Sequence, residues 1–391
     1  MNKQQIPVVV LAGFLGSGKT TLLNHLLHRS GGSRIGAIVN DFGSIEIDAM
    51  SVAGQLGDST VSLGNGCLCC AVDASELDEY LDRLARPAAG IDVIVIEASG
   101  LAEPQELVKM LLASENPHIV YGGLVEVVDA AEFDATRERH PEVDRHLGIA
   151  DLVVVNKADR VSKEEHARVL GVVRGLAGRA AVVAASYGRV DVELFFDRAP
   201  VGERVGQLSF DDLRDDAADA DADADADVSE GADTVDDGEH CADGRCGHHE
   251  HLHSAYESLS FTSEAPLGPR PLMALLDSRP EGLYRIKGYV DFGAADPKNR
   301  YEVHAVGRFL RFYPEPWGPG EPRLTQLVLI GSGIDVPALE KELQACRDNA
   351  PQADEHGMWG VLRYVQEPEP EQAQAQEPDE SVEGTSADGD L

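Results

Sequence analysis

The sequence predicts an α/β protein whose first part is a doubly wound, mostly parallel sheet, followed by a smaller α+β domain. Three observations carry that prediction. Short apolar runs alternate with helical patterns from Pro7 to Ala184. The first run feeds a glycine-rich loop that opens a helical segment. Beyond Arg204 the alternation gives way to acids and then resumes from Tyr256 with strand-like runs set closer together. Buried strands alternating with helices are the pattern of a parallel sheet covered on both faces.

Pro7–Ala12 is the first strand-like run, and Thr20–His28 follows as a helix with Leu22, Leu23, Leu26 and Leu27 on one face. Further strands are predicted at Ile35–Val39, Ile91–Ile96, Gly123–Val128, Leu152–Val155 and Ala181–Ala184, with helices such as Ala74–Leu84 and Lys163–Leu176 between them. Asp219–Asp227 alternates Asp and Ala, a charge density that cannot bury apolar surface and so predicts disorder. In the second domain Arg270–Leu276 and Val336–Cys346 read as helices. Tyr256–Phe261, Tyr284–Phe292, Tyr301–Val306, Arg308–Phe312 and Gln326–Gly331 read as strands. The predicted layout is a first domain over 1–204, an acidic and His/Cys-rich linker over 205–255, a second domain over 256–350 and an acidic tail over 351–391.

Gly13-Phe14-Leu15-Gly16-Ser17-Gly18-Lys19-Thr20, followed by Thr21, fits the phosphate-binding pattern G-x-x-x-x-G-K-[ST] between a strand and a helix. Glycines let backbone N–H groups face phosphates, and the helix N-terminus adds partial positive charge. Lys19 would reach the β- and γ-phosphates and Thr20 would ligate Mg²⁺. The fold class is therefore a P-loop NTPase. Ile91–Ile96 ending in Glu97 is an apolar strand closed by a carboxylate, placed to hold Mg²⁺ or to orient water. Asn156-Lys157-Ala158-Asp159 follows another strand. Its Asp159 can accept two hydrogen bonds from guanine, which adenine cannot donate, so GTP is the expected nucleotide. Ala185-Ser186 is a candidate end to the base pocket.

Cys67, Cys69 and Cys70 are three thiols in four residues, downstream of the phosphate loop. Thiolates in such a cluster suit Zn²⁺, with Co²⁺ and Cu⁺ as alternatives. A fourth ligand must come from elsewhere, and Asp41, Glu46 and Asp48 are candidates within Asn40–Asp48, a segment placed to respond to the nucleotide. A redox pair or inert thiols are the competing readings. A second cluster, His240, Cys241, Cys246, His248, His249, His251 and His253, has charged flanks that argue against a folded finger. It reads as an auxiliary arm with several exchangeable metal sites, or as a low-complexity insert. His25, His28, His118, His166 and His356 are isolated and fit surface or packing roles.

The formal net charge is −36. Asp211–Glu239 holds fourteen acids against Arg214 alone, and Glu367–Leu391 holds nine acids and no base. No basic patch favours nucleic acid, and an acidic surface repels a phosphate backbone. Ile6–Ala12 is too short for a secretory signal, and no apolar run reaches membrane-spanning length. A cytoplasmic setting is expected, where clustered cysteines serve metals or redox chemistry rather than disulfides.

Taken together, Gly13–Leu27, Asn40–Gly43 (NDFG), Gly64–Cys70 (GNGCLCC), Glu97–Pro104 (EASGLAEP) and Asn156–Asp159 (NKAD) resemble the CobW-type GTPases, metallochaperone relatives of the nickel-insertion GTPases. Leu283–Phe292 is similar to the R-x-K-G strand of that family's C-terminal domain. The resemblance implies that Cys67, Cys69 and Cys70 form a metal-binding CxCC motif and that GTP hydrolysis is coupled to metal delivery. Lys19, Glu97 and Asp41 are then the catalytic candidates, with Asp41 one methylene shorter than the Glu many relatives carry. The expected function is a GTP-hydrolysing zinc chaperone acting on a client metalloprotein recognised in part by the second domain, as a monomer or a homodimer. A cobalt chaperone for cobalamin synthesis, an activator of a nitrile hydratase-type enzyme, and a zinc buffer are the alternatives.

Overall fold

The computed structural model describes residues 5–30, 33–40, 60–63, 74–100, 103–196, 256–348 and 356–365. The first domain runs β1 (Ile6–Ala12), α1 (Lys19–His28), β2 (Ile35–Asn40), β3 (Thr60–Leu63), α2 (Ala74–Leu84), β4 (Val93–Glu97) and α3 (Pro104–Ala113). It continues with β5 (Ile119–Asp129), α4 (Phe133–Arg139), α5 (Val143–Ile149), β6 (Leu152–Asn156), α6 (Lys163–Ala177) and β7 (Ala181–Ala184). Its seven described strands lie in the order β3-β2-β4-β1-β5-β6-β7, and each pairing among them is parallel. β1 is central, and the chain winds to β2 and β4 on one side before crossing to β5 on the other. The loop after β1 therefore opens at the switch point, where such sheets bind ligands.

Alternation along β1 builds both faces. Val9 and Leu11 join Leu22, Leu23 and Leu26 of α1 in one core cluster. Val8, Val10 and Ala12 join Leu77 and Leu81 of α2 and Leu107 and Leu111 of α3 in another. A third cluster lies under α4, α5 and α6 around Phe133, Leu147, Val169 and Val173. At about 25 cal/mol per Å² of apolar surface, these layers supply the main drive for folding.

The predicted strands hold, with shifted ends. β4 starts at Val93, not Ile91, because Asp92 turns its carboxylate to the Arg34 N–H at 2.8 Å. β5 starts at Ile119, four residues before the predicted Gly123. Gly122 and Gly123 look like a strand break, yet a Cβ on Gly122 would lie 2.9 Å from the Val8 carbonyl carbon. Close packing beside β1, not a turn, is the reason for that glycine. Helix α3 begins on Pro104, a favoured first helical residue.

The second domain contains β8 (Glu257–Ser263), α7 (Pro269–Ser278), β9 (Leu283–Val290), β10 (Asn299–Val306), β11 (Phe309–Pro316), β12 (Thr325–Gly331), α8 (Val336–Asp348) and the short α9 (Trp359–Leu362). Its five strands form an antiparallel sheet in the order β11-β10-β9-β12-β8. One face carries Ile286, Ala305 and Leu329, which pack with Leu272 and Leu276 of α7 and Leu339 and Leu343 of α8. Tyr284, Val306 and Ile330 instead join the α1 side of the first domain's core. His304 Nε2 lies 2.9 Å from the Tyr121 carbonyl oxygen, and Tyr256 donates its O–H to Asp191 at 3.2 Å. The second domain thus sits against the end of the parallel sheet remote from the phosphate loop.

Among the described residues, no helix is long and apolar enough to cross a membrane. The predicted linker and the acidic tail apart from residues 356–365 lie outside the described residues, including Asp211–Glu239 and Glu367–Leu391.

Candidate nucleotide site

The loop from Gly13 to Gly18 takes the shape its glycines permit. Gly13 has φ +138° and Gly18 has φ +103°. A Cβ at Gly13 would lie 2.3 Å from the Val127 carbonyl oxygen, and one at Gly18 would lie 2.3 Å from Asn156 Nδ2. Both positions combine a left-handed backbone with contact that excludes a side chain. Lys19 donates its ammonium to the carbonyls of Gly13 at 2.8 Å and Phe14 at 3.3 Å, curling over the loop it must serve.

Thr20 and Glu97 meet at the mouth of the site. The Thr20 hydroxyl donates to Glu97 Oε1 at 2.7 Å, and Glu97 is buried at the end of β4. A hydroxyl and a carboxylate side by side form a hard oxygen donor set, which suits Mg²⁺. Gly100, three residues on, packs so closely that a Cβ there would approach the Leu15 nitrogen to 2.7 Å. The loop after β4 therefore rests directly on the phosphate loop.

Asn156 is a buried staple. Its Nδ2 donates to the Ser17 carbonyl at 3.0 Å and its Oδ1 accepts from the Gly188 N–H at 2.9 Å. Lys157 adopts φ +60° and donates to the Gly16 carbonyl and to Asp129 Oδ2, both at 2.6 Å. The Ala158 N–H donates to the Ala185 carbonyl at 3.1 Å, which sets the Ala185-Ser186 loop beside Asp159. Asp159 is exposed. The structure thus brings together Gly13, Gly16, Ser17, Gly18, Lys19, Thr20, Thr21, Glu97, Asn156, Lys157, Asp159 and the Ala185 loop at one end of the sheet.

Cys67, Cys69, Cys70, Asp41, Glu46 and Asp48 lie outside the described residues, as do His240, Cys241, Cys246, His248, His249, His251 and His253. Among the described residues, no group of three or more His, Cys, Asp or Glu side chains converges as a metal site. The isolated histidines follow their expected packing or surface roles where the structure describes a contact. His25 sits 2.8 Å from the Val190 carbonyl oxygen, and the His356 ring meets Trp359 edge-on.

Several groups at the site escape sequence reasoning. Asp129 holds Lys157 and ends β5 as a carboxylate, the same signal that marks Glu97 on β4. Glu126 is buried on β5 with Oε2 unpartnered among the described residues, and burial lifts its pKa to about 8 against the pull of Lys19. Phe14 lies 4.8 Å from the His140 ring and 6.0 Å from the His146 ring. His146, held below its ordinary pKa by burial, faces the Glu103 carboxylate at 3.5 Å. Arg145 donates to both oxygens of the same carboxylate, at 2.6 and 2.7 Å. No local pattern in the sequence announces that group.

Two family models match the chain. The CobW/HypB/UreG nucleotide-binding domain matches residues 7–184, and the cobalamin synthesis protein cobW C-terminal domain matches residues 256–347. The zinc chaperone CobW of Pseudomonas aeruginosa is 30% identical over 87% of this chain and 91% of that protein. The chain belongs to the CobW family. The zinc chaperone YjiA of Escherichia coli is 31% identical over 49% of this chain and 61% of its own length. The zinc-regulated GTPase metalloprotein activator 1 of Schizosaccharomyces pombe is 30% identical over 48% and 47%. The crystal structure of Zn(II)-bound YjiA GTPase from E. coli aligns at TM-score 0.40 and 21% identity, over 89% of this chain and all of that one. Within the CobW family, the constellation of Lys19, Thr20, Glu97 and Asn156 occupies the nucleotide-binding domain.

Proposed function

We propose that this CobW-family protein is a GTP-hydrolysing zinc chaperone that holds zinc at Cys67, Cys69 and Cys70 and passes it to a client metalloprotein. The observation that carries the reading is the joined site. Lys19 is poised over the phosphate loop, Thr20 touches Glu97, and Asn156 ties the loop to the guanine-selecting segment, in a chain 30% identical to a zinc chaperone across most of its length.

Lys19 leaves the Gly13 and Phe14 carbonyls to meet the β- and γ-phosphates. Thr20 and Glu97 hold Mg²⁺, which supplies charge neutralisation of the phosphates. Asp159 selects guanine and Lys157 covers the base. The γ-phosphate acts on two segments, the one that contains Gly100 and the Asn40–Asp48 segment. The second of these links the nucleotide to the thiolates, so hydrolysis changes zinc affinity and favours transfer. The second domain contributes to client recognition.

Zinc retained per chain after desalting tests the reading. Wild type should keep about one tightly held zinc. Cys67→Ala/Cys69→Ala/Cys70→Ala should lose it while still binding GTP. Equal retention in the two proteins overturns the assignment. Cobalt is the second reading, favoured by the second domain's match to a cobalamin synthesis protein family model. Loading both metals in competition separates the two.

A further inference from the structure

At the end of the parallel sheet opposite the phosphate loop, the two domains enclose a cleft of about 520 Å³. Residues between α5 and β6 and at the end of α6 form one wall. The end of α7, the β10–β11 turn and Tyr364 form the other. Three arginines line it: Arg179 from the first domain, and Arg279 and Arg308 from the second.

Two of these guanidinium groups are oriented by carbonyl oxygens, and the Asp151 and Asp277 carboxylates partly offset the charge of Arg279. Arg179 donates Nη1 to the carbonyls of Ser278 and, at 3.2 Å, Arg279. Arg279 donates Nη2 to the Phe309 carbonyl at 2.9 Å and holds φ +26°, a strained value for a residue with a side chain. Arg308 is exposed, and its guanidinium has no partner among the described residues. Two carboxylates also line the cleft. Asp151 is buried and already committed, accepting the Tyr121 O–H at 2.6 Å and the Leu124 N–H at 2.9 Å. Asp277 accepts a long bond of 3.4 Å from the Tyr364 O–H. In a chain of net charge −36, a cleft walled by three arginines runs against the overall charge.

We propose that this cleft binds a carboxylate-rich peptide segment, and that residues 367–391 of the chain itself are the occupant. Guanidinium forks match carboxylates, often through two parallel hydrogen bonds. Glu367–Leu391 carries nine acids and no base. The chain reaches Glu367 two residues after Val365, which pairs with Phe312, and Tyr364 is part of the cleft wall. A ligand tethered at the edge of its site gains a high effective concentration. Because Arg179 comes from one domain and Arg308 from the other, an occupant that engages both clasps the domain junction.

The test uses a fluorescently labelled peptide of residues 367–391, the full chain, and the chain ending at Gln366. The peptide should bind the shortened chain, lose affinity as salt rises, and fail to bind the full chain, whose site is filled. Arg308→Glu and Arg179→Glu in the shortened chain should each weaken binding by about tenfold or more, while Arg308→Lys keeps most of it. Unchanged GTP affinity in these variants reports an intact fold. Equal peptide affinity in the shortened chain with and without Arg308→Glu overturns the site. Equal peptide affinity in the full and shortened chains overturns the tail as occupant.

Discussion

The Thr20 hydroxyl donates to the Glu97 carboxylate at 2.7 Å, joining the first turn of α1 to the end of β4 across 77 residues. The contact places the two oxygen ligands expected of Mg²⁺ side by side. Glu97→Gln keeps the shape and removes the charge. It should lower GTP turnover by at least about a hundredfold while GTP affinity falls far less. Phosphate release set against binding of a fluorescent nucleotide reads both, and wild-type turnover in Glu97→Gln would contradict the role.

In the proposed function, Asp159 selects guanine. Its carboxylate is exposed beside the Ala185 loop, and Asn156 and Lys157 fix the backbone that carries it. Asp159→Asn should cut the preference for GTP over ATP by at least about a hundredfold. Competition binding measures the ratio, and an unchanged ratio would remove Asp159 from the base pocket.

Glu126 makes stability depend on pH in an unusual direction. Burial raises its pKa from 4.5 to about 8, with Lys19 opposing. Between those values the native protein holds a proton that the unfolded chain has released, so stability falls as pH rises through that window. Glu126→Gln removes the dependence and should gain stability over wild type that grows toward pH about 8, on the order of a few kcal/mol. Urea denaturation at several pH values checks it. Parallel pH curves for the two proteins would show that the carboxyl is already solvated.

The domain junction makes a steric prediction. Gly307 has φ +51°, and a Cβ there would lie 1.6 Å from Asp151 Oδ1. Gly307→Ala should cost about 2 kcal/mol or more and weaken hydrogen-exchange protection at Leu124, whose N–H is held by Asp151. Full protection in that variant would mean the junction yields without cost.

What was legible in the sequence follows from how local each feature is. The phosphate loop and Asn156–Asp159 are contiguous, so their residues announce their chemistry before folding. Gly122 and Gly123 imitate a break in β5, yet Gly122 makes room for β1 and Gly123 for Val306 and Tyr284 of the second domain. Asp129 carried a readable signal, a carboxylate closing an apolar run. Glu103, Arg145, His146 and Phe14 did not, because their association depends on how the loop after β4 packs against α5. The pairing of His304 with Tyr121 spans 183 residues and exists only through domain docking. The spacing of Cys67, Cys69 and Cys70 suggests metal chemistry, and their positions lie outside the described residues.

Zinc affinity measured with a non-hydrolysable GTP analogue and with GDP tests the central claim most directly. The account predicts tighter zinc binding in the GTP-analogue state of the wild type. In Cys67→Ala/Cys69→Ala/Cys70→Ala it predicts weak binding that ignores the nucleotide. Identical zinc affinities for the wild type in both nucleotide states would contradict it.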